Sequence, residues 1–102
     1  MTASQTVALT VPIARAGAEP IAAVAVRKPS AGALRGLTLT KVITMDVSTM
    51  LTLLPRVTEP ALLPDEVAAL EPADLLALSG AVVGFFMTAS QAAEAEAALA
   101  SL

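Results

Sequence analysis

Residues 26–37 read VRKPSAGALRGL, and the same stretch continues with MDV at 45–47, LLPRVTEP at 53–60 and LEPADLLAL at 70–78. Proline cannot donate a hydrogen bond to a sheet and charge discourages strand pairing, so Arg27-Lys28-Pro29 is expected to end a strand. The later segments are short, and each is interrupted by proline or by an acidic residue. This order predicts a strand end followed by a series of short helices.

The residues before this stop predict a β-hairpin that spans roughly residues 6–27. In its first strand, apolar residues alternate with small or polar ones, the pattern of a half-buried strand. These apolar residues are Val7, Leu9, Val11 and Ile13. A turn around Gly17 leads to a second apolar run at residues 21–26. One face of this second predicted strand carries Ala22, Val24 and Val26.

Two short helices are expected between the hairpin and Pro55. Ser30 is a suitable N-cap for the first helix, which is expected to run through Leu37. Residues 37–40 alternate briefly and fit either strand or coil. Asp46 is expected to cap the second helix, because its carboxylate can accept the free N–H groups of the first turn. Pro55 is expected to end this helix. The apolar stripe of the second helix is Val47, Met50, Leu51 and Leu54.

Two further helices are expected to begin at prolines. Pro64 and Pro72 suit the first helical position, where a backbone N–H is not needed. The helix from Pro72 to about Met87 is apolar on every side, which indicates a central helix or part of an interface. Gly80 and Gly84 form a stripe on this helix, and they predict close approach of another backbone, either within the fold or in a dimer.

The expected fold is α+β, with an N-terminal β-hairpin packed against three or four short α-helices. A chain of 102 residues is one domain by length. We expect residues 1–88 to form this domain and residues 89–102 to form an Ala/Glu-rich helical tail. Aromatic residues make up only 2% of the chain although hydrophobic ones make up 56%, so Ala, Leu and Val must build the core.

The residues that the sequence lacks exclude several kinds of site. It contains no Cys and no His, which excludes disulfides and metal sites built from thiolate or imidazole. Six basic residues and a net charge of −3 provide no electrostatic footprint for nucleic acid. The N-terminus has no signal-peptide pattern, and the apolar run from Leu75 to Ala89 is too short to span a membrane. We therefore expect a cytoplasmic protein without a cofactor, a metal or a membrane partner.

Catalysis is not expected either. Two pairs of carboxylates, Asp65-Glu66 and Glu71/Asp74, lie close together in sequence, and each pair falls at a predicted helix start. Negative charge is favourable there because of the helix dipole. General acid–base catalysis needs an environment that separates two pKa values, usually with a His or Lys nearby, and neither lies near these pairs in sequence. The serines lack a His partner, which makes nucleophilic catalysis improbable.

Two groups of residues are candidate contacts for a protein partner. Arg27-Lys28 and Arg35 mark either a basic edge that faces a partner or a solvated strand end. Arg56 either caps the carbonyls of the preceding helix end or recognises an acidic partner. Two adjacent phenylalanines cannot easily both point inward from one helix, so we expect one in the core and the other at a binding surface. The candidate partner-binding residues are Phe85, Phe86, Met87, Arg27, Arg35 and Arg56.

The order of segments in residues 7–87 resembles the small tail assembly chaperones of contractile-tailed phages, the family that includes the tail assembly protein of phage Mu. The VRKPSAGALRGL, MDV, LLPRVTEP and LEPADLLAL segments carry this resemblance. It implies a non-catalytic chaperone that binds the tape measure protein, keeps it soluble, helps to recruit tail tube subunits and is absent from the mature virion. The alternative is a small structural tail component, such as a tube or connector protein, that remains in the virion.

Overall fold

The computed structural model describes residues 4–86, which form a three-stranded antiparallel sheet and four α-helices. The strands lie in the order β1 (Ser4–Ile13), β2 (Ile21–Arg27) and β3 (Thr58–Glu59). The helices are α1 (Leu39–Ile43), α2 (Val47–Val57), α3 (Pro64–Ala68) and α4 (Pro72–Gly84). This confirms the α+β prediction with its N-terminal hairpin. The expected domain boundary at residue 88 and the expected tail at 89–102 lie outside the described residues.

The pairing of β1 with β2 is interrupted by an irregularity in β1. Residues 4–8 pair with residues 23–27, and pairing resumes only where Ile13 meets Ile21. Residues 9–12 of β1 therefore face only residue 22 of β2. A bulge of this kind bends its strand and changes the direction of the side chains within it.

The irregularity explains which hairpin side chains reach the core. Of the four apolar residues expected on one face of β1, Val7, Leu9 and Ile13 contact the core. The fourth, Val11, lies within the bulge and is 50% exposed. In β2, Val24 and Val26 are fully buried, whereas Ala22, opposite the bulge, is exposed. The predictions for Val11 and Ala22 were wrong because strict alternation does not continue through a bulge.

The short third strand was not predicted. Thr58 pairs with Val26 and Glu59 pairs with Ala25. The buried hydroxyl of Thr58 donates to the carbonyl oxygen of Leu54 at 2.8 Å and accepts from the backbone N–H of Leu62 at 3.1 Å. These bonds satisfy the hydroxyl inside the protein and join the end of α2 to the loop after β3.

Residues 30–43 fold differently from the prediction. The hydroxyl of Ser30 accepts a hydrogen bond from the N–H of Ala33 at 3.3 Å, as expected of an N-cap. The helix that it caps is a single 3₁₀ turn, Ala31–Leu34, and does not reach Leu37. Gly36 follows with a φ of +81°, a left-handed conformation that ends helices. In segment 37–40, residues 37 and 38 are coil, one of the two expected alternatives, whereas Leu39 and Thr40 begin α1, a helix that was not predicted.

The N-terminus of α2 matches the prediction, but its C-terminus does not. One carboxylate oxygen of Asp46 accepts from the hydroxyl of Thr49 at 2.9 Å and from its N–H at 3.1 Å, and these bonds lower the pKa of Asp46. Pro55 does not end the helix, which continues to Val57. Proline removes one helical hydrogen bond, but burial of Val57 and the sheet pairing of Thr58 offset this loss at the helix end.

The face of α2 that enters the core is also rotated from the predicted stripe. Met50 and Leu54 are fully buried as expected, whereas Leu51 is half-buried and Val47 is 56% exposed. The stripe instead starts at Met50 and runs through Leu53, Leu54 and Val57, with the same helical spacing. Together with β2 and α4 this stripe forms the centre of the core. The fully buried aliphatic side chains of that centre are Val24, Val26, Met50, Leu53, Leu54, Leu78 and Val82.

Candidate partner-binding surfaces

Asp74 joins the first turn of α4 to the bulge in β1. One carboxylate oxygen accepts the N–H of Thr10 at 2.8 Å, and the other accepts the hydroxyl of Thr10 at 3.1 Å and the N–H of Val11 at 3.3 Å. Burial raises the pKa of Asp74, but these hydrogen bonds lower it by more, so the net pKa lies below its usual value. The sequence predicts only that Asp74 stabilises the start of a helix by its charge. In the structure, Asp74 also bonds a distant strand, β1.

Glu66 has a similar double role in α3. One of its oxygens accepts the N–H of Leu63 at 2.8 Å, as expected at a helix start. The guanidinium of Arg15 donates to both carboxylate oxygens, at 2.8 and 2.6 Å, and also to the carbonyl oxygen of Ala61 at 2.8 Å. The hydrogen bonds from Arg15 and from Leu63 lower the pKa of Glu66 to about 2. No local signal reveals this pair, because 51 residues separate its members.

Two of the three candidate arginines, Arg27 and Arg56, line the same surface depression, which we call the arginine notch. Its volume is about 220 Å³, and its other lining residues include Lys28, Ser30 and Ala33. The guanidinium of Arg27 donates to the carbonyl oxygen of Arg56 at 3.1 Å. Arg56 donates to the carbonyl oxygens of Ala33 at 2.8 Å and Arg35 at 2.9 Å. Within residues 4–86, no carboxylate forms an ion pair with the cations of this notch.

These contacts correct the expected role of Arg56. It caps the carbonyls at the end of the 3₁₀ turn, more than twenty residues earlier in sequence, rather than those of α2. Arg27 instead bonds the last turn of α2. Arg35 contributes a backbone carbonyl, and its own exposed side chain does not line the notch.

The two phenylalanines lie just after the end of α4 rather than within it. The predicted helix stops at Gly84, with Phe85 as its C-cap and Phe86 in the following turn. Both side chains are half-buried and pack against the core. The expectation that only one of them faces inward was wrong, because both rings contact the core. The backbone N–H groups of Phe85 and Phe86 bond the carbonyl oxygens of Val82 and Val83, three residues earlier, so the last turn is tighter than an α-helix. Met87 lies outside the described residues.

The glycine stripe of α4 faces open space in the described structure. Gly80 and Gly84 are exposed, and a methyl group added to either would meet no atom of residues 4–86 within 4 Å apart from the neighbouring backbone of α4 itself. Leu76, on the same side of the helix, is 62% exposed. The predicted close contact within the fold is therefore wrong for the described part of the chain.

The described surface carries both charged side chains and exposed apolar side chains. No group of acidic side chains in residues 4–86 is placed to hold a metal ion. No helix in the same range is both long enough and apolar enough to cross a membrane. Every buried side-chain nitrogen or oxygen of the described structure has a hydrogen-bond partner. What the surface presents is a basic notch, exposed apolar side chains and two half-buried aromatic rings.

Comparison with known proteins identifies the family of this chain. Residues 6–87 match the family described as phage tail assembly chaperone proteins, E, or 41 or 14. The chain is 51% identical over 69 residues to tail assembly protein E of Escherichia phage P2, an overlap of 68% of this chain and 76% of that protein. It is 49% identical over 71 residues to tail assembly protein E' of the same phage, an overlap of 70% of this chain. No solved structure matches the chain significantly.

The family match covers almost all of the described residues, from the third residue of β1 to just beyond the end of α4. The chain spans half the length of protein E' and about three quarters of protein E. Both relatives are tail assembly proteins, and the family is one of non-catalytic assembly factors. This chain belongs to the phage tail assembly chaperone family.

Proposed function

We propose that this chain binds the tape measure protein of its phage, keeps it soluble and helps to recruit tail tube subunits. The observation that carries the proposal is the apolar surface that the described structure leaves open. Six large apolar side chains there are between 43% and 62% exposed. They are Val11, Leu39, Ile43, Val47, Leu63 and Leu76. Exposed apolar side chains of this kind can contact the apolar faces of a helical client.

Two surfaces are proposed to contact the client. The first lies at the C-terminal end of α4, where Phe85 and Phe86 follow the exposed face that carries Leu76. Met87, the next residue in sequence, is proposed to contribute to the same contact. Phenylalanine contributes much of the binding energy at protein interfaces, and this pair supplies both aromatic residues of the chain. The second is the arginine notch, together with the exposed side chain of Arg35, which suits acidic segments of a partner. Three cations in the notch have no acidic partner within residues 4–86, so a carboxylate of the client would meet unneutralised charge.

The chaperone is proposed to act in the host cytoplasm during tail assembly and to leave before the virion is complete. Mass spectrometry of purified particles tests this part. The protein should be absent from particles and present in lysates taken during assembly. Its retention at a fixed copy number per particle would support a tube or connector component instead.

The proposed apolar contact is tested by co-expressing the tape measure protein with the parent chain and with single variants. Phe85→Ser and Phe86→Ser remove one aromatic ring each, while Phe85→Leu and Phe86→Leu keep apolar volume. At least one serine variant should remain folded by circular dichroism at the growth temperature yet leave the tape measure protein insoluble. Both leucine variants should keep it soluble. If both serine variants fold and keep the client soluble, the contact lies elsewhere.

A further inference from the structure

A groove separates the bulged end of β1 from α3 and the start of α4. This β1–α3 groove has a volume of about 330 Å³, and its floor and walls include Val11, Ile13, Ala69 and Leu70. Val11 is half exposed because the bulge turns it away from the core, and Ile13 and Leu70 are half-buried. The groove is therefore an apolar depression with room for large apolar side chains of another molecule.

Both walls of the groove are fixed by hydrogen bonds. Asp74 holds the β1 wall at Thr10 and Val11. Arg15 holds the end of the hairpin against α3 through its two bonds to Glu66. A surface held in place before binding loses less conformational entropy when a partner docks, so the groove is preorganised for binding.

The rim of the groove is acidic. Asp65 and Glu71 line it, are exposed, and form no ion pair or side-chain hydrogen bond within residues 4–86. Glu66 also lines it, but Arg15 balances its charge. No lysine or arginine is among the lining residues, so the rim carries a net negative charge. Charge complementarity therefore favours a partner segment with lysine or arginine beside its apolar residues.

The backbone beside the groove favours a helix over a strand as the occupant. A strand that extends the sheet must bond to free N–H groups at the edge. The N–H groups of Thr10 and Val11 are already bonded to Asp74, and Pro12 has none. A helix needs no backbone bonds from its partner, and residues three or four apart place apolar and basic side chains on one face.

We propose that the β1–α3 groove binds a helical segment in which large apolar side chains are flanked by lysine or arginine. The inference rests on the proposed function, and its occupant is a segment of the tape measure protein that has this chemistry. The arginine notch and this groove have opposite charges, so each selects different segments of the client. The groove thereby gives the chaperone a docking site that is separate from the phenylalanines at the end of α4.

The probe for this site is a fluorescein-labelled amphipathic helical peptide of leucine, alanine and lysine, with a matched peptide in which glutamate replaces lysine. Binding to the full chain is measured by fluorescence anisotropy at low salt. The parent should bind the lysine peptide and not the glutamate peptide. Equal binding of both peptides, or no binding of the lysine peptide, would overturn the proposal.

Two double variants then locate the binding site. Asp65→Asn with Glu71→Gln neutralises the rim, while Glu19→Gln with Glu59→Gln removes two acids outside the groove. Each pair changes the formal net charge from −3 to −1. The rim variant should bind the lysine peptide roughly three- to tenfold more weakly, as expected from two surface ion pairs. The control should bind like the parent. Equal losses in both double variants would show that only overall charge matters.

A third variant tests the apolar floor. Val11→Ser should weaken binding of the lysine peptide about tenfold, because it removes the apolar side chain that projects into the groove. Unchanged affinity would overturn the groove as the site. Co-expression with the tape measure protein separates the two proposals. If the parent binds that protein and all groove variants bind it equally, the groove is not the docking site but the proposed function stands. If the parent fails to bind it, the proposed function is wrong whatever the peptide results.

Discussion

The carboxylate of Asp74 accepts the backbone N–H of Thr10 at 2.8 Å, which ties the first turn of α4 to the part of β1 that leaves the sheet ladder. The same side chain accepts two further hydrogen bonds from Thr10 and Val11. It is 1% exposed, and Thr10 and Val11 have no partner across the hairpin. This one carboxylate therefore replaces the missing sheet bonds and sets the position of β1 against α4.

Replacing Asp74 with alanine should reduce the free energy of unfolding by about 2–3 kcal/mol, because donors near the core lose their acceptor. Urea unfolding at neutral pH, followed by circular dichroism, measures the change. Asp65→Ala is the matched control, since Asp65 is an exposed acid in the first turn of α3. Its loss should cost less than about 1 kcal/mol. Equal losses would mean that Asp74 contributes only helix-start electrostatics.

Stability should fall as the pH is lowered below about 5, partly because of Glu66. Its pKa in the folded protein is about 2, below the ordinary value of about 4.3 expected in the unfolded chain. Folding therefore favours the ionised form of Glu66. The stability that this contributes is fully present above the pKa of Glu66 in the unfolded chain, and it is lost as the pH falls towards its pKa in the folded protein. Asp46 and Asp74, whose pKa values are also lowered, act in the same direction.

Urea midpoints measured from pH 7 down to pH 2.5 test this prediction. Glu66→Gln should be less stable than the parent at pH 7 and should lose less stability on acidification. Arg15→Gln should flatten the profile in the same way, because it removes the other half of the pair. A Glu66→Gln profile parallel to that of the parent would contradict the assigned role of the Arg15–Glu66 contact.

Replacing Gly80 with alanine should stabilise the protein by about 0.5–1 kcal/mol. The position is an exposed helix interior where a methyl group meets no atom of residues 4–86 within 4 Å apart from the neighbouring backbone of α4, so the backbone entropy term dominates. Thermal unfolding at several protein concentrations measures the effect. Destabilisation instead, above all at high concentration, would show that this face of α4 is covered in solution by a second copy.

Arg56 should hold the 3₁₀ turn against α2. Arg56→Lys keeps the charge but loses the planar guanidinium group that reaches the carbonyls of Ala33 and Arg35 together. Hydrogen exchange over residues 31–37 should become faster in this variant, while exchange in the centre of α2 stays unchanged. Arg35→Lys is the control, because Arg35 enters this contact through its backbone carbonyl alone. If hydrogen exchange over residues 31–37 is unchanged in Arg56→Lys, Arg56 does not hold the 3₁₀ turn in place.

Local patterns predicted most of the elements of this fold. The hairpin, the caps at Ser30 and Asp46, and the helix starts at Pro64 and Pro72 all follow from interactions within a few residues. The wrong prediction for the end of α2 has a non-local cause. Pro55 stays within a helix because distant core and sheet contacts hold the residues that follow it. The phase of the α2 stripe was ambiguous because the sequence carries apolar residues on two overlapping faces.

The candidate contacts show the same division. Sequence identified Arg27 and Arg56 as notable separately, but only the fold brings them into one notch. It assigned Asp74 and Glu66 to helix starts, correctly, and missed their bonds to Thr10 and Arg15 because those partners lie more than fifty residues away. The β1–α3 groove had no sequence signal, since it depends on a strand irregularity that turns Val11 outward.

The most direct test asks whether the chain binds the tape measure protein and keeps it soluble. The tagged chain is affinity-purified from cells that also express the tape measure protein of the same phage, and the soluble tape measure protein in the eluate is quantified. A stable, soluble complex of the two proteins is the predicted result, with the tape measure protein largely insoluble when expressed alone. If the tape measure protein remains insoluble beside the folded chain and none elutes with it, this chain does not act as its chaperone.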